Sequence, residues 1–220
     1  MNSVADKRSP GSRPQPLPPK DDGKKIPAIS QCLEFIEVYE MLDNIRAHSF
    51  VVARIAETLV DGLYTAGKST GPFANRDEVI AGALLHDIAK SLCLKTDCLH
   101  AETGRDICLE LGYPDISEIV AEHVILKNYT NDLYQKGIFG AKELVFYADK
   151  RVLHDQVVSL DDRLDYILER YGKGDPVREQ RIRENFSQAQ ELESYLFSFL
   201  DFNPEDIRQH MSHKIFLPDD

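Results

Sequence analysis

The sequence predicts an all-α fold built as a single domain. From about residue 29 onward, apolar residues recur at steps of three and four, which is the spacing that one face of a helix presents to a core. The alternation of apolar and polar residues that is typical of strands is nearly absent. A chain of 220 residues is long enough for one sizeable core, and a second full domain is not expected.

The predicted helices follow one another along the chain and are separated by residues that start or stop helices. Gly112 follows one apolar stripe, and Gly172 and Gly174 follow another. Asn203 and Pro204 predict the start of a last helix, with the asparagine as its cap and the proline as its first residue. The apolar stripes cover residues 51–63, 79–89, 99–111, 116–124, 144–152, 160–168 and 182–200.

Two terminal segments differ from this central part. Residues 1–28 are predicted to be a disordered, proline-rich tail, because they offer almost no apolar side chains that could offset the entropy of ordering. Residues 176–220 are predicted to be a helical extension packed on the core, since they are charged but contain the apolar segment "SYLFSFLDF". Residues 29–175 would then form the domain that carries the function.

Composition excludes several classes of partner. The formal net charge is -11 at pH 7, which disfavours a broad surface for nucleic acid. No stretch approaches the 18 or so uninterrupted apolar residues of a membrane span, and the first 28 residues lack the apolar segment of a signal peptide. We therefore expect a cytoplasmic protein that binds neither nucleic acid nor membrane, and a homodimer is left open.

The cysteines are expected to be reduced. No two of them form a CxxC pair, and an even number in a chain of this length does not imply a disulfide framework. We expect most of the thiols to be buried. The four cysteines are Cys32, Cys93, Cys98 and Cys108.

Six ionisable residues stand where the helical pattern predicts core. In "ALLHDIAK", for example, His86 and Asp87 end an apolar run. One histidine on an apolar face is typically a hydrogen-bonded core residue, but a buried carboxylate without a cation costs several kcal/mol. A shared metal ion would offset that cost, and imidazole with carboxylate favours iron, manganese, zinc or cobalt over calcium. The six residues are His48, His86, Asp87, His100, His123 and Asp149.

The order of these residues resembles that of the HD-domain superfamily of metal-dependent phosphohydrolases. In that superfamily a histidine, an HD doublet and an aspartate lie on separate helices, as do His48, His86-Asp87 in "LLHDIAK" and Asp149 in "YADKRV". Two further histidines between the doublet and the last aspartate are typical of its two-metal, HDIG-like members. The resemblance covers roughly residues 40 to 170 and implies an HD-type helical bundle. One departure is Ala89, where some members have glycine.

The resemblance also implies a set of metal ligands and a reaction. Two divalent transition metal ions would be bound, with Asp87 bridging them and a water between them activated as the nucleophile. The substrate would be a nucleotide or a related small phosphorylated molecule, cleaved at a phosphoester or phosphoanhydride bond. The first metal would be held by His48, His86, Asp87 and Asp149, and the second by Asp87, His100 and His123.

Three cations are further candidates for the site. Lys90 completes the "HDIAK" motif and is predicted to have a catalytic role alongside Asp87 and to contact the phosphate, although a lysine at a helix C-terminus is also favoured by the macrodipole. Lys127 and Arg151 are predicted to bind substrate, and ordinary surface charge explains each of them equally well.

Two other functions remain open at this stage. A di-iron oxygenase of the same fold would use a similar set of ligands, so the residues do not separate it from a hydrolase. A non-catalytic signalling domain of the same fold typically lacks ligands, and this chain has all six.

Overall fold

The computed structural model describes residues 26–212, and helices account for most of them. Their order is α1 (Ile29–Val38), α2 (Asp43–Ala66), α3 (Arg76–Leu85), α4 (Lys90–Thr96), α5 (His100–Glu110), α6 (Pro114–Glu122), α7 (Asn131–Tyr134), α8 (Ala141–Lys150), β1 (Val152–Leu153), β2 (Gln156–Val157), α9 (Leu160–Ile167), a π-helical turn (Leu168–Gly172), α10 (Pro176–Phe199), a 3₁₀ turn (Pro204–Asp206) and α11 (Ile207–His210). The predicted all-α class is confirmed.

Helices α2, α3, α6 and α8 form the centre of the bundle. Helix α2 packs against α3 and α8, and α3 also packs against α6 and α8. Helix α3 is buried along Val79 to Leu85, since it has neighbours on several sides. Gly82 permits the close approach of α6, because a Cβ atom added there would lie 2.7 Å from Ile119 Cδ1.

Caps fix where several helices begin and end. Asn75 Oδ1 accepts hydrogen bonds from the first backbone amides of α3, and Asp175 Oδ1 does the same for α10. Pro176 is the first residue of α10. Gly112 and Gly174 adopt positive φ angles of 86° and 70° after the helices that they were predicted to end.

The stripe over residues 79–89 is not one helix. Helix α3 ends at Leu85, residues 86–89 form turns, and α4 begins at Lys90. The HD doublet therefore lies in a break between two helices. Lys90 lies at the N-terminus of a helix rather than at the C-terminus that the continuous stripe implied.

Two short strands follow α8 and form a hairpin. Val152 pairs with Val157 and Leu153 with Gln156 in antiparallel register. His154 turns the chain between them with a positive φ of 56°. Strands of two residues are too short to produce an alternating pattern, and the sequence therefore gave no signal for them.

The ends of the domain pack on this centre. Most of the predicted tail, residues 1–25, lies outside the described residues, whereas Ile26 is half-buried and Pro27 is buried next to α1. Helix α10 packs against α8 and α9. The "NPED" segment begins with a 3₁₀ turn before α11, and residues 213–220 lie outside the described part of the chain.

The cysteine prediction was wrong for one pair. Cys93 and Cys98 form a disulfide, whereas Cys32 and Cys108 are buried free thiols whose pKa values are raised by burial. Asp97 ends α4 in a left-handed conformation, with φ of 56°, and this turn brings Cys98 back beside Cys93. The contact depends on one backbone turn that spacing alone does not reveal.

Over residues 26–212, none of the helices has both the length and the apolar character needed to cross a bilayer.

Candidate metal centre

The six predicted ligands come together in the middle of the bundle. They come from separate elements, and all except His100 are buried. They are His48 on α2, His86 and Asp87 in the turn between α3 and α4, His100 at the start of α5, His123 directly after α6, and Asp149 near the end of α8.

Three of them form what we call the inner group: His48, His86 and Asp149. His48 Nε2 lies 2.9 Å from Asp149 Oδ1, and His86 Nε2 lies 3.7 Å from the same oxygen. Their ligand atoms lie within 4.8 Å of one another, and all three residues are buried. This spacing suits three ligands of one metal ion.

The other three form the outer group: Asp87, His100 and His123. Asp87 Oδ1 lies 3.4 Å from His100 Nε2 and 3.5 Å from His123 Nε2. The two imidazole nitrogens lie 3.2 Å apart. A second set of three ligand atoms therefore converges beside the first.

Asp87 connects the two groups. Its Oδ1 faces the outer histidines, while its Oδ2 lies 3.4 Å from His86 Nε2 in the inner group. One oxygen toward each group is the arrangement expected of a carboxylate that bridges two cations.

Backbone carbonyls orient three of the four imidazoles. His48 Nδ1 donates to the carbonyl of His154 at 2.9 Å, and His86 Nδ1 and His123 Nδ1 each donate at 2.7 Å to a carbonyl three residues earlier. Because an imidazole that donates through Nδ1 has a lone pair on Nε2 when neutral, all three Nε2 atoms are prepared as ligands. His154 contributes through a main-chain carbonyl, which a pattern of side chains does not reveal.

Two buried atoms in the cluster fit a metal site. Within residues 26–212, His86 Nε2 and Asp87 Oδ1 have no hydrogen-bond partner. A buried polar atom without a partner costs about 1–3 kcal/mol, and a bound cation would remove that cost at both atoms. The imidazole and carboxylate donors suit a divalent transition metal.

The comparison with protein families agrees with this geometry. The model of the HD domain family matches residues 45–167, which is more than half of the chain and includes all six residues. The chain belongs to the HD domain family. No curated protein and no solved structure gives a significant match.

Both carboxylates of the candidate metal centre are held in the ionised form at neutral pH. Burial raises the pKa of Asp87, but Lys90 and His86 lower it more, so that the pKa lies well below its usual range. Burial likewise raises the pKa of Asp149, and Lys150 and His48 more than reverse this effect. Two negative charges are thus kept among the histidines.

The pKa values of three histidines of the candidate centre are shifted in different directions. Burial lowers the pKa of His123, and it lowers that of His100 to about 4, so both outer imidazoles are neutral at pH 7. Burial also opposes protonation of His86, but Asp87 and Asp149 raise its pKa above the ordinary value. In the metal-free protein a proton therefore competes with the metal ion for His86, and metal binding has to displace that proton.

Sequence reasoning missed Lys150, which is buried beside both groups. Its Nζ donates to Asp149 Oδ2 at 3.1 Å and to the carbonyl of His123 at 3.0 Å, and it lies 4.5 Å from the ring centre of Phe146. A lysine next to a predicted ligand reads as surface charge in a pattern analysis, so only the packing of α8 against α6 identifies it.

The three predicted cations occupy different places. Lys90 Nζ lies 2.6 Å from Asp87 Oδ2, and its side chain is about one third exposed. Lys127 is exposed in the segment after His123. Arg151 points elsewhere, because its guanidinium bonds to Glu193 and to backbone carbonyls near the hairpin and α11. These contacts disfavour the predicted phosphate contact of Arg151.

Proposed function

We propose that this HD domain is a metal-dependent phosphohydrolase that cleaves a phosphoester or phosphoanhydride bond in a nucleotide or a related small phosphorylated molecule. The observation that carries the proposal is the position of Asp87, with one carboxylate oxygen toward each of two groups of ligands. Two divalent cations, when bound there, would polarise phosphoryl oxygens and activate water for in-line displacement.

The six ligands have distinct tasks in this proposal. The inner group would provide a rigid binding position for one metal ion, since all three of its residues are buried. The outer group includes His100, whose side chain is 30% exposed, so substrate would enter from its side. The two ionised carboxylates balance part of the charge of the cations and keep them close together.

Lys90 is the residue that we propose to assist the reaction. Its ammonium group is bonded to Asp87 Oδ2, and about one third of its side chain is exposed. From there it can donate to a phosphoryl oxygen or to the leaving group, and it helps to keep Asp87 ionised. Lys127 is a weaker candidate for a phosphate contact, because it is exposed and its ammonium has no partner within the described residues.

The proposal is tested by metal analysis followed by an activity screen. The full chain is purified, its metal content is measured, and it is assayed with Mn²⁺ against phosphomonoesters, cyclic nucleotides and dinucleoside polyphosphates. We expect hydrolysis of at least one class. Asp87→Asn should lower the rate by roughly 10³-fold, because several kcal/mol of charge stabilisation are lost.

A matched control is Asp132→Asn, which makes the same substitution at an exposed aspartate of α7. This variant should keep the wild-type rate and metal content. Absence of hydrolysis by the metal-loaded protein across the whole panel would contradict the proposal. So would an Asp87→Asn variant that binds metal and hydrolyses substrate as the wild type does.

A further inference from the structure

The cations around the candidate metal centre are not all neutralised in the same way. Lys90 is paired with Asp87 at 2.6 Å, and Lys150 is paired with Asp149 at 3.1 Å. Each lysine thus has a carboxylate of the centre as its partner. A third cation, Arg163 on α9, has no carboxylate partner among residues 26–212, and its Nε has no acceptor there.

Arg163 is half-buried on α9, and its Nε atom is buried without a hydrogen-bond acceptor in the described part of the chain. Its guanidinium lies 5.5 Å from the ring centre of Tyr166. A buried donor without an acceptor costs about 1–3 kcal/mol, whereas an anion that approached the guanidinium would remove this cost. The ring of Tyr166 supports the cation but supplies no acceptor for Nε.

Two further contacts connect Arg163 to the inner group. The ring of Tyr166 meets the ring of His154 edge to face, at 5.5 Å between centres. The carbonyl of His154 in turn accepts the hydrogen bond from His48 Nδ1. Arg163 thus lies on the side of the centre where the hairpin orients His48.

We propose that Arg163 is a substrate-binding residue that holds a phosphate group of the substrate beside the inner group. The inference deepens the proposed function and rests on it, since the phosphate would be part of the hydrolysed molecule. A guanidinium is suited to this task, because its planar set of donors binds two phosphate oxygens at once. Tyr166 would keep the guanidinium in position while the substrate enters.

The test measures binding of inorganic phosphate to the full chain by isothermal titration calorimetry, with and without Mn²⁺. Arg163→Gln should weaken phosphate binding by roughly tenfold to a hundredfold, which is the range expected for loss of a hydrogen bond between charged groups. Arg163→Lys should recover part of the loss, because it keeps the charge but not the two parallel donors. Mn²⁺ affinity and melting temperature should stay at wild-type values in both variants.

The control is Arg183→Gln, which removes an exposed arginine of α10 and so makes the same change of net charge. It should bind phosphate within twofold of the wild type. Equal losses in the two variants would overturn the proposal, because the effect would then come from net charge. Wild-type binding by Arg163→Gln, or a wild-type protein that does not bind phosphate, would also overturn it.

The two proposals fail in different ways. If Mn²⁺ binds to the wild type and Asp87→Asn abolishes that binding, but Arg163→Gln has no effect on phosphate, only the role of Arg163 is refuted. If the wild type binds no Mn²⁺, the proposed hydrolase fails. Titration of the metal-free protein then still decides whether Arg163 binds phosphate.

Discussion

The inner and outer groups of the candidate metal centre share Asp87 as their link but differ in how firmly they are built. The side chains of His48 and His86 are 7% and 0% exposed, and both rings are fixed through Nδ1 by backbone carbonyls. His100 is 30% exposed, and within residues 26–212 no hydrogen bond to its Nδ1 is present. Core packing therefore pre-organises the inner group. The outer group combines one imidazole that is fixed by a hydrogen bond, His123, with one that is partly exposed to solvent, His100.

This difference matters for how such a centre works. A ligand fixed by the core loses little entropy when it binds a metal ion, and it gives high affinity. A ligand near solvent leaves room for water and substrate to reach the second position. The two positions should therefore respond unequally to three of the four changes that follow, whereas loss of Lys150, which contacts both groups, should weaken both positions.

The largest effect is expected from removing one histidine of each group. His48→Ala should lower Mn²⁺ affinity by more than the roughly 10- to 100-fold that is expected when a hydrogen-bond partner of a metal ligand is removed, because a direct ligand disappears from a buried site. His100→Ala should cost less, since water can replace an exposed ligand. Calorimetric titration of both variants checks this order, and equal losses would abolish the distinction between the groups.

A second experiment removes the residue that contacts both groups. Lys150→Met keeps the length of the side chain but removes the donor to Asp149 and to the carbonyl of His123. We expect Mn²⁺ affinity to fall roughly 10- to 100-fold at both positions, and the free energy of unfolding to fall by about 3 kcal/mol.

Lys142→Met is the matched control for this variant, because it changes a lysine of the same helix that contacts only Glu122 near the surface. Its free energy of unfolding should change by less than about 1 kcal/mol. Wild-type metal affinity in Lys150→Met, with lowered stability, would mean that Lys150 supports the fold and not the ligands.

Of the two groups of ligands, the disulfide should affect only the outer group. It joins Cys93 within α4 to Cys98, two residues before His100, and its reduction should lower the free energy of unfolding by about 2 kcal/mol, as expected for so short a loop. Metal affinity of the outer group should fall and that of the inner group should stay the same. Denaturant titrations with and without a phosphine reductant measure this, and the reductant should have no effect on the Cys93→Ser/Cys98→Ser double variant.

The smallest effect is expected from pH, and it should affect mainly the inner group. The pKa of His86 is raised, so the metal-free protein binds a proton there that is lost as pH rises through that value. Metal affinity of the inner group should therefore increase with pH by up to about tenfold per unit below that pKa. The pKa values of His100 and His123 are lowered, so the outer group should change little between pH 6 and 8.

Titration of the His100→Ala/His123→Ala double variant with Mn²⁺ at pH 6, 7 and 8 isolates the inner group. Proton release is measured by repeating each titration in buffers of different ionisation enthalpy. An affinity that is independent of pH would show that His86 is neutral before the metal binds.

The sequence predicted which six ionisable residues meet in the core, but it did not predict what surrounds them. His48, His86 and Asp149 lie on apolar faces of separate segments, and periodicity identified each face without knowledge of the fold. The same reasoning did not single out Lys150 or Arg163, because the residues around them come from distant parts of the chain. It also continued the stripe of α3 through residues 86–89, since an apolar stripe can continue through a turn.

By itself, the sequence determined the helical class, the six candidate ligand residues and their order. The tertiary structure decided which oxygen of Asp87 faces which group, that His154 orients His48 through a carbonyl, and that Cys93 meets Cys98. The physical reason is that periodicity is set by local backbone geometry. Distances between side chains on different helices depend on how those helices pack, and no segment specifies that alone.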